Sequence, residues 1–185
     1  MKKCLSMLIL LISLCANAQE LKNYIVTKEG EKVSLPDQVT LGRDYISFDG
    51  GPKIKNVSYM HKDLKMMVFS GRVWLLLPLV KKRELRLQEV ICYNDSAILV
   101  KYWHDTAFHI LIFDWNQNII QPHQVMPAKF RQAKYIRDYI EPYFRDSHTL
   151  LDKMYKNVDD RDAENCLANI AAYKCGKRDI TELMK

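Results

Sequence analysis

Between positions 23 and 121 the apolar residues come in short runs rich in Val, Ile, Tyr, Phe and Trp. Gly, Asn, Asp, Ser or Pro interrupt them about every eight to twelve residues, the pattern of an antiparallel β-meander. Residues 24–27 and 32–35 flank Lys28-Glu-Gly-Glu31, where Gly30 can supply the positive φ of a tight hairpin. Residues 44–48 turn through Asp49-Gly-Gly-Pro52 into 53–57 by the same chemistry. Residues 66–69 and 73–77 follow, joined by Ser70-Gly71. The second of these runs is apolar on both faces, which predicts a central strand covered on two sides. Pro78 is expected to end its regular pairing or to mark a bulge, because proline has no N–H for the ladder. Two more hairpins complete the meander, 84–92 with 97–103 about Asn94-Asp95, and 107–115 with 119–121 about Asn116-Gln117.

After Pro127 the apolar period lengthens from two to nearly four. Phe130, Ala133, Ile136, Tyr139 and Ile140 recur at helical spacing, and Pro142 is expected to end that element. Asp146 or Ser147 caps a second helix with Leu150, Leu151, Met154 and Tyr155 on one face. Asp159 or Asp160 caps a third, with Ala163, Cys166, Leu167, Ile170 and Tyr173 as its stripe and Gly176 as its stop. The predicted fold class is therefore α+β, an antiparallel meander of about seven to nine short strands followed by three C-terminal helices.

Residues 1–18 fit neither period. Lys2 and Lys3 precede an apolar run from Cys4 to Cys15, and the segment closes on Ala16-Asn17-Ala18, the composition of a secretory signal. The run is well short of the roughly 20 residues that span a bilayer, so no transmembrane helix is expected in the mature chain. Leu14 before Cys15 argues against a lipoprotein cleavage site, whereas Ala16 and Ala18 suit ordinary signal peptidase. The expected organisation is a signal at 1–18 and one α+β domain at 19–185, β-rich over 19–122 and helical over 127–176. The destination is the periplasm or the exterior.

Export changes how the charge is read. The formal net charge is +6, and the signal holds only Lys2 and Lys3 of the 28 basic residues. The mature domain thus keeps a basic excess, which favours anionic surfaces; the export signal argues against nucleic acid. Five cysteines become three after cleavage: Cys92, Cys166 and Cys175. On one continuous helix Cys166 and Cys175 would stand about 13.5 Å apart along the axis, too far for a disulfide. Three small buried hydrophobes is the simplest expectation, with a bridge from Cys92 to the C-terminal helix as the alternative.

Tyr24-Ile-Val-Thr-Lys-Glu-Gly-Glu-Lys32 after a signal ending Ala-Asn-Ala, and Phe144-Arg-Asp-Ser-His-Thr-Leu-Leu-Asp-Lys-Met154 further on, resemble a group of small exported bacterial proteins of uncharacterised function. The resemblance implies export and carries no activity or site.

Two side-chain sets carry candidate chemistry. His104, Asp105 and His109, with Asp114 and His123 nearby, offer imidazoles and carboxylates for a metal or for acid/base work. Strand alternation groups His109 with Leu111, Phe113 and Trp115, while His104 and Asp105 are expected in the preceding turn, and no metal motif accompanies them. The second set is basic and aromatic: Lys53, Lys55, Lys81, Lys82, Arg83 and Arg86, joined by Lys62 and Lys65, with Tyr59, Trp74 and Trp103 as apolar surface for an anion or glycan. The competing role of those lysines is protection of a strand edge. The acids at 159–164 lack the glycine of a calcium loop and suit a helix N-terminus. Six glycines form neither a P-loop nor a dinucleotide fingerprint, so no cofactor is expected.

The functional expectation is an exported, non-catalytic binding or structural module of the bacterial envelope, its partner an envelope protein, a glycan or an anionic surface. The alternative is a small metal-dependent or acid/base hydrolase built on the His104/Asp105/His109 region. Intact-mass measurement on the exported protein should give a chain beginning at Gln19, free or cyclised; a mass retaining Met1, or lipid on Cys15, would refute the processing site.

Overall fold

The structure, a computed structural model, describes residues 23–42, 44–51, 56–79, 85–104, 107–125, 132–159 and 173–184. Its strands are β1 (Tyr24–Thr27), β2 (Lys32–Ser34), β3 (Thr40–Leu41), β4 (Tyr45–Phe48), β5 (Val57–Met60), β6 (Leu64–Phe69), β7 (Arg72–Pro78), β8 (Leu85–Tyr93), β9 (Ile98–His104), β10 (Ala107–Phe113), β11 (Ile119–Val125) and β12 (Tyr173–Lys174). A 3-10 turn, His61–Asp63, joins β5 to β6, and another, Ile180–Met184, follows β12. Helix α1 consists of Gln132–Tyr135, a π-helical turn Ile136–Ile140 and Glu141–Phe144; α2 is His148–Asp159.

The strands form two sheets. Nine strands run β11-β10-β9-β8-β7-β6-β1-β2, with β12 parallel beside β8, while β3, β4 and β5 form a separate antiparallel sheet. From β6 to β11 every neighbour in the sheet is also the neighbour in sequence, the meander read from the turn residues. The turns behave as their chemistry requires: Gly30 has φ 89°, Ser70 and Gly71 have 50° and 72°, and Gln117 has 64°. The chain leaves the large sheet after β2 to build the small one, so the β-rich half is not one continuous meander. Its β4–β5 hairpin begins its second arm at Val57, later than expected, with Lys53 and Lys55 outside the described residues.

Both faces of the large sheet are buried, and this is why its central strands carry so few polar residues. Ile91, Leu99, Ile110 and Ile112 point to one face, where Ile136, Ile140, Phe144, Leu150 and Met154 of the helices cover them. Val90, Val100, Leu111 and Phe113 point to the other, packing with Tyr24, Val26, Met66, Leu75 and Ile180. The small sheet supplies Ile46 to a third cluster with Ile25, Leu35, Leu64 and Met67. A register shift in β8 between Val90 and Cys92 turns both Ile91 and Cys92 toward the helices.

The helical half departs from expectation at two points. Pro142 does not end α1: it stands in the first turn of Glu141–Phe144, directly after the π-helical turn. A proline there needs no N–H partner, and the widened turn before it shifts the phase of the helix. Ile136, Ile140 and Phe144 accordingly face the core while Ala133 is exposed. The second correction concerns the third helix. Two helices are present among the described residues; Tyr173, expected on a helical stripe, lies in β12 paired with Cys92, and Ala163, Cys166, Leu167 and Ile170 lie outside the described residues. Tertiary pairing with an open strand edge overrides local helical periodicity there.

Residues 173–184 are tied down by Asp95, whose Oδ1 accepts the N–H groups of Lys177 at 2.7 Å and Arg178 at 2.8 Å. The Arg178 N–H, more than any other influence, holds the Asp95 carboxyl below its usual pKa. Gly176 therefore does not stop a helix; a Cβ there would lie 2.5 Å from Asp95 Oδ1 and 2.8 Å from the Asp95 backbone N. Cys175 donates its N–H to Tyr93 O, and Cys175 and Cys92 are both free thiols. Tyr155 links the helices by donating to Glu141 Oε2 at 2.6 Å. Burial, then that carboxylate, pushes its phenol up to about 12. Gly176→Ala should cost about 1–3 kcal/mol, the range of local steric lesions, and should raise amide exchange across 173–184 first; unchanged exchange would show that the strap tolerates a side chain.

Candidate functional site

The candidate site follows from an offset in strand pairing. The β8–β9 ladder runs from Tyr93 opposite Ile98 to Glu89 opposite Lys101, and there it ends. Both strands continue, β8 to Leu85 against β7 and β9 to His104 against β10. The two strands therefore part beyond Glu89 and Lys101. On the other edge of β8 the β7 ladder begins at Glu89 opposite Trp74, and β12 takes over at Cys92 and Tyr93. Glu89 is the β8 residue registered with both β7 and β9.

A cavity of about 280 Å³ opens at this fork. Arg86, Leu87 and Glu89 of β8 line it with Lys101 and Tyr102 of β9 and Met67 and Trp74 beside them. His61 of the 3-10 turn, with Leu41 and Gly42 of the small sheet, closes the opposite wall. A Cβ on Gly42 would lie 2.5 Å from the exposed Tyr45 ring, so a side chain there would displace that ring.

The charges are arranged around Glu89. Its Oε1 accepts from Arg72 Nη1 at 2.6 Å and from Lys101 Nζ at 3.0 Å. The Lys101 and Glu89 side chains are only 6% and 13% exposed, so this pair works in a medium far less polar than water. Burial lowers the Lys101 pKa, and the Glu89 carboxylate opposes that shift. Arg86 and Lys101 line the cavity beside Glu89, and Arg72 reaches the same carboxylate from β7. Asp44 acts on His61 from the small sheet.

His61 contributes a different function. Desolvation is the largest influence on it and lowers its pKa, against the pull of Asp44 and a hydrogen bond to the Tyr45 backbone. The ring is therefore neutral at pH 7. That backbone bond favours the charged ring, so the bonded ring nitrogen is the donor. The other nitrogen, Nε2, is then a lone-pair acceptor, and it is buried without a partner among the described residues.

Two of the sequence candidates, Arg86 and Trp74, meet in this cavity. Trp103 lies in β9 opposite Phe108, and its side chain is outside the described residues, as are Lys53, Lys55, Lys81, Lys82 and Arg83. Lys62 is exposed, Lys65 belongs to β6, and Tyr59 stacks on Phe48 at 6.2 Å.

The histidine set is placed differently. His104 is the last residue of β9 and not part of a turn, since it pairs with Ala107; Asp105 lies outside the described residues. His109 is buried in β10 and stacked on Tyr102 at 5.1 Å. Asp114 organises the β10–β11 turn, accepting from the N–H groups of Asn116 and Asn118 and from the Asn118 amide. It stands five positions beyond His109, roughly 16 Å along an extended strand. His123 lies in β11. Among the described residues no group of three or more His, Cys, Asp or Glu side chains could hold a metal ion.

Sequence reasoning missed His61, Glu89, Lys101 and Tyr102. One signal was present: Lys101 follows Ala97-Ile-Leu-Val100 in a strand otherwise apolar, and a lysine so placed needs a buried carboxylate opposite. No protein-family model, curated protein or solved structure matches this chain.

Glu89→Leu should destabilise the protein by about 3–5 kcal/mol, because it removes the carboxylate that the little-exposed Lys101 ammonium shares with Arg72. The double variant Glu89→Leu/Lys101→Met should recover most of that loss in urea denaturation. An equal or greater loss in the double variant would show that the pair is needed for more than charge neutrality.

Proposed function

We propose that this protein is an exported, non-catalytic binding module of the bacterial envelope whose ligand site is the cavity at the β8–β9 fork. The ligand is small and anionic. The observation that carries this reading is the meeting of Arg86 and Lys101, walled by Trp74 and Tyr102, in a concave site where one carboxylate serves more than one cation. Sites of this kind are concave and largely apolar, with a few placed polar groups; about 280 Å³ lies at the small end of their range. Export rests on the signal-like composition of residues 1–18. No helix among the described residues is long and apolar enough to cross a membrane.

The test titrates the purified mature chain with inorganic phosphate, acetate and glucuronate, read by thermal shift and calorimetry. A probe at about a hundredfold its Kd should stabilise the fold by about 2.7 kcal/mol, a rise in Tm of about 5–10 °C for a chain of this size. Binding should weaken with salt, and should be lost in both Arg86→Met and Arg86→Glu, whose folding is checked by circular dichroism. Absence of stabilisation by all three probes, or full retention of binding in the Arg86 variants, would refute the site.

A further inference from the structure

A second cavity, also of about 280 Å³, opens where β6 and β7 meet the β10–β11 turn and the 3-10 turn Ile180–Met184. It shares no lining residue with the fork cavity. Exposure divides its lining by chemistry. The buried members, Leu64 and Met66 of β6 and Leu75 and Leu76 of β7, are all apolar. Leu183 of the 3-10 turn is half-buried, whereas Lys28, Leu85 and Gln117 are exposed and mark the mouth. An interior walled by leucine and methionine side chains gives water few hydrogen-bond partners and favours a hydrocarbon occupant.

Two residues at the mouth define what that occupant carries at its outer end. The Lys28 side chain has no ion pair or hydrogen bond among the described residues. Glu29, the acid beside it, is engaged by its own backbone N–H and the Thr27 hydroxyl, which lower its pKa before the charges of Lys28 and Lys65 do. Gln117 has φ 64°, a region that glycine or asparagine enters at less cost, yet the turn keeps a longer amide there. That side chain lines the cavity and makes no hydrogen bond among the described residues. An ammonium and an amide N–H at the mouth of an apolar cavity complement a carboxylate. An apolar cavity of about 150 Å³ takes benzene, so about 280 Å³ takes a chain of roughly ten carbons. We infer that this cavity binds the tail of a free medium-chain carboxylic acid, its carboxylate held at the mouth by Lys28 and the Gln117 amide. The longer, paired chains of a membrane lipid exceed that volume.

Calorimetry on the mature chain with butanoate, hexanoate and octanoate tests the tail, and octyltrimethylammonium tests the head. Affinity should rise with length by up to about fourfold per methylene, and octanoate should bind about tenfold tighter than the ammonium of the same chain. Gln117→Gly, which suits the positive φ, should fold at least as stably as the parent yet bind octanoate about threefold more weakly, and Lys28→Gln should weaken it similarly. Leu183→Trp, a half-buried position, should fill the cavity and remove the dependence on chain length. Arg86→Met at the fork should bind octanoate as the parent does. Equal binding of butanoate and octanoate, or no binding of any probe, overturns the inference. So does equal binding of the ammonium, or full octanoate affinity in both Gln117→Gly and Lys28→Gln. Loss of octanoate binding in Arg86→Met would move the acid to the fork and likewise overturn it. Sedimentation of the protein with phosphatidylglycerol vesicles, abolished by Leu183→Trp, would make membrane lipid the occupant instead. If Leu183→Trp fails to fold, the chain-length series on the unaltered protein decides.

Discussion

The large sheet is held in register at Glu89. Its backbone faces Trp74 on one side and Lys101 on the other, and its side chain pairs with Lys101 and Arg72 across the same two strands. Toward Tyr93, β8 exchanges β7 for β12; toward Leu85, it loses β9. An ion pair so little exposed contributes modest net stability, since desolvation offsets much of its attraction. Its larger effect is on register: a slip of one residue would turn Lys101 or Glu89 to the wrong face and leave a buried charge unpaired.

The cavity depends on that junction. Two strands that stayed paired to their ends would close the space now lined by Arg86 and Tyr102. The small sheet and the His61 turn complete the enclosure from a segment inserted between β2 and β6. The helices cover another stretch of the large sheet, through Ile136, Ile140, Phe144, Leu150 and Met154. The buried hydrophobic stabilisation and the polar cavity are thus served by different parts of the chain.

Several elements were legible because their causes are local. Gly30, Ser70-Gly71 and Asn116-Gln117 mark turns that need positive φ, and the structure has those turns. The apolar β7 run predicted a strand covered on both faces, and Val73, Leu75 and Leu77 pack in one core while Trp74, on the other face, packs against another. Pro142 misled because a regular α-helix excludes proline, whereas a π-helical turn just before it lets the chain continue. Tyr173 misled because helical spacing in sequence carries no knowledge of the open β8 edge it pairs with. Of the candidate site, Arg86 and Trp74 stood out by charge and aromaticity, while His61 did not, since nothing near it in sequence shows that its ring is enclosed.

What the sequence determined by itself is the local order: the strand runs and the turns between them, the change of period after Pro127, and the basic excess that favours an anionic partner. These depend on residues within a few positions of one another. The tertiary structure decided which strands part company, which cations share Glu89, and that a histidine from the turn between β5 and β6 lines the same cavity. The physical reason is that pairing offset and burial are set by contacts between residues far apart in the chain. Lys101 and Glu89 are 12 positions apart and His61 lies well before both, so their meeting is a property of the sheet and not of any one segment.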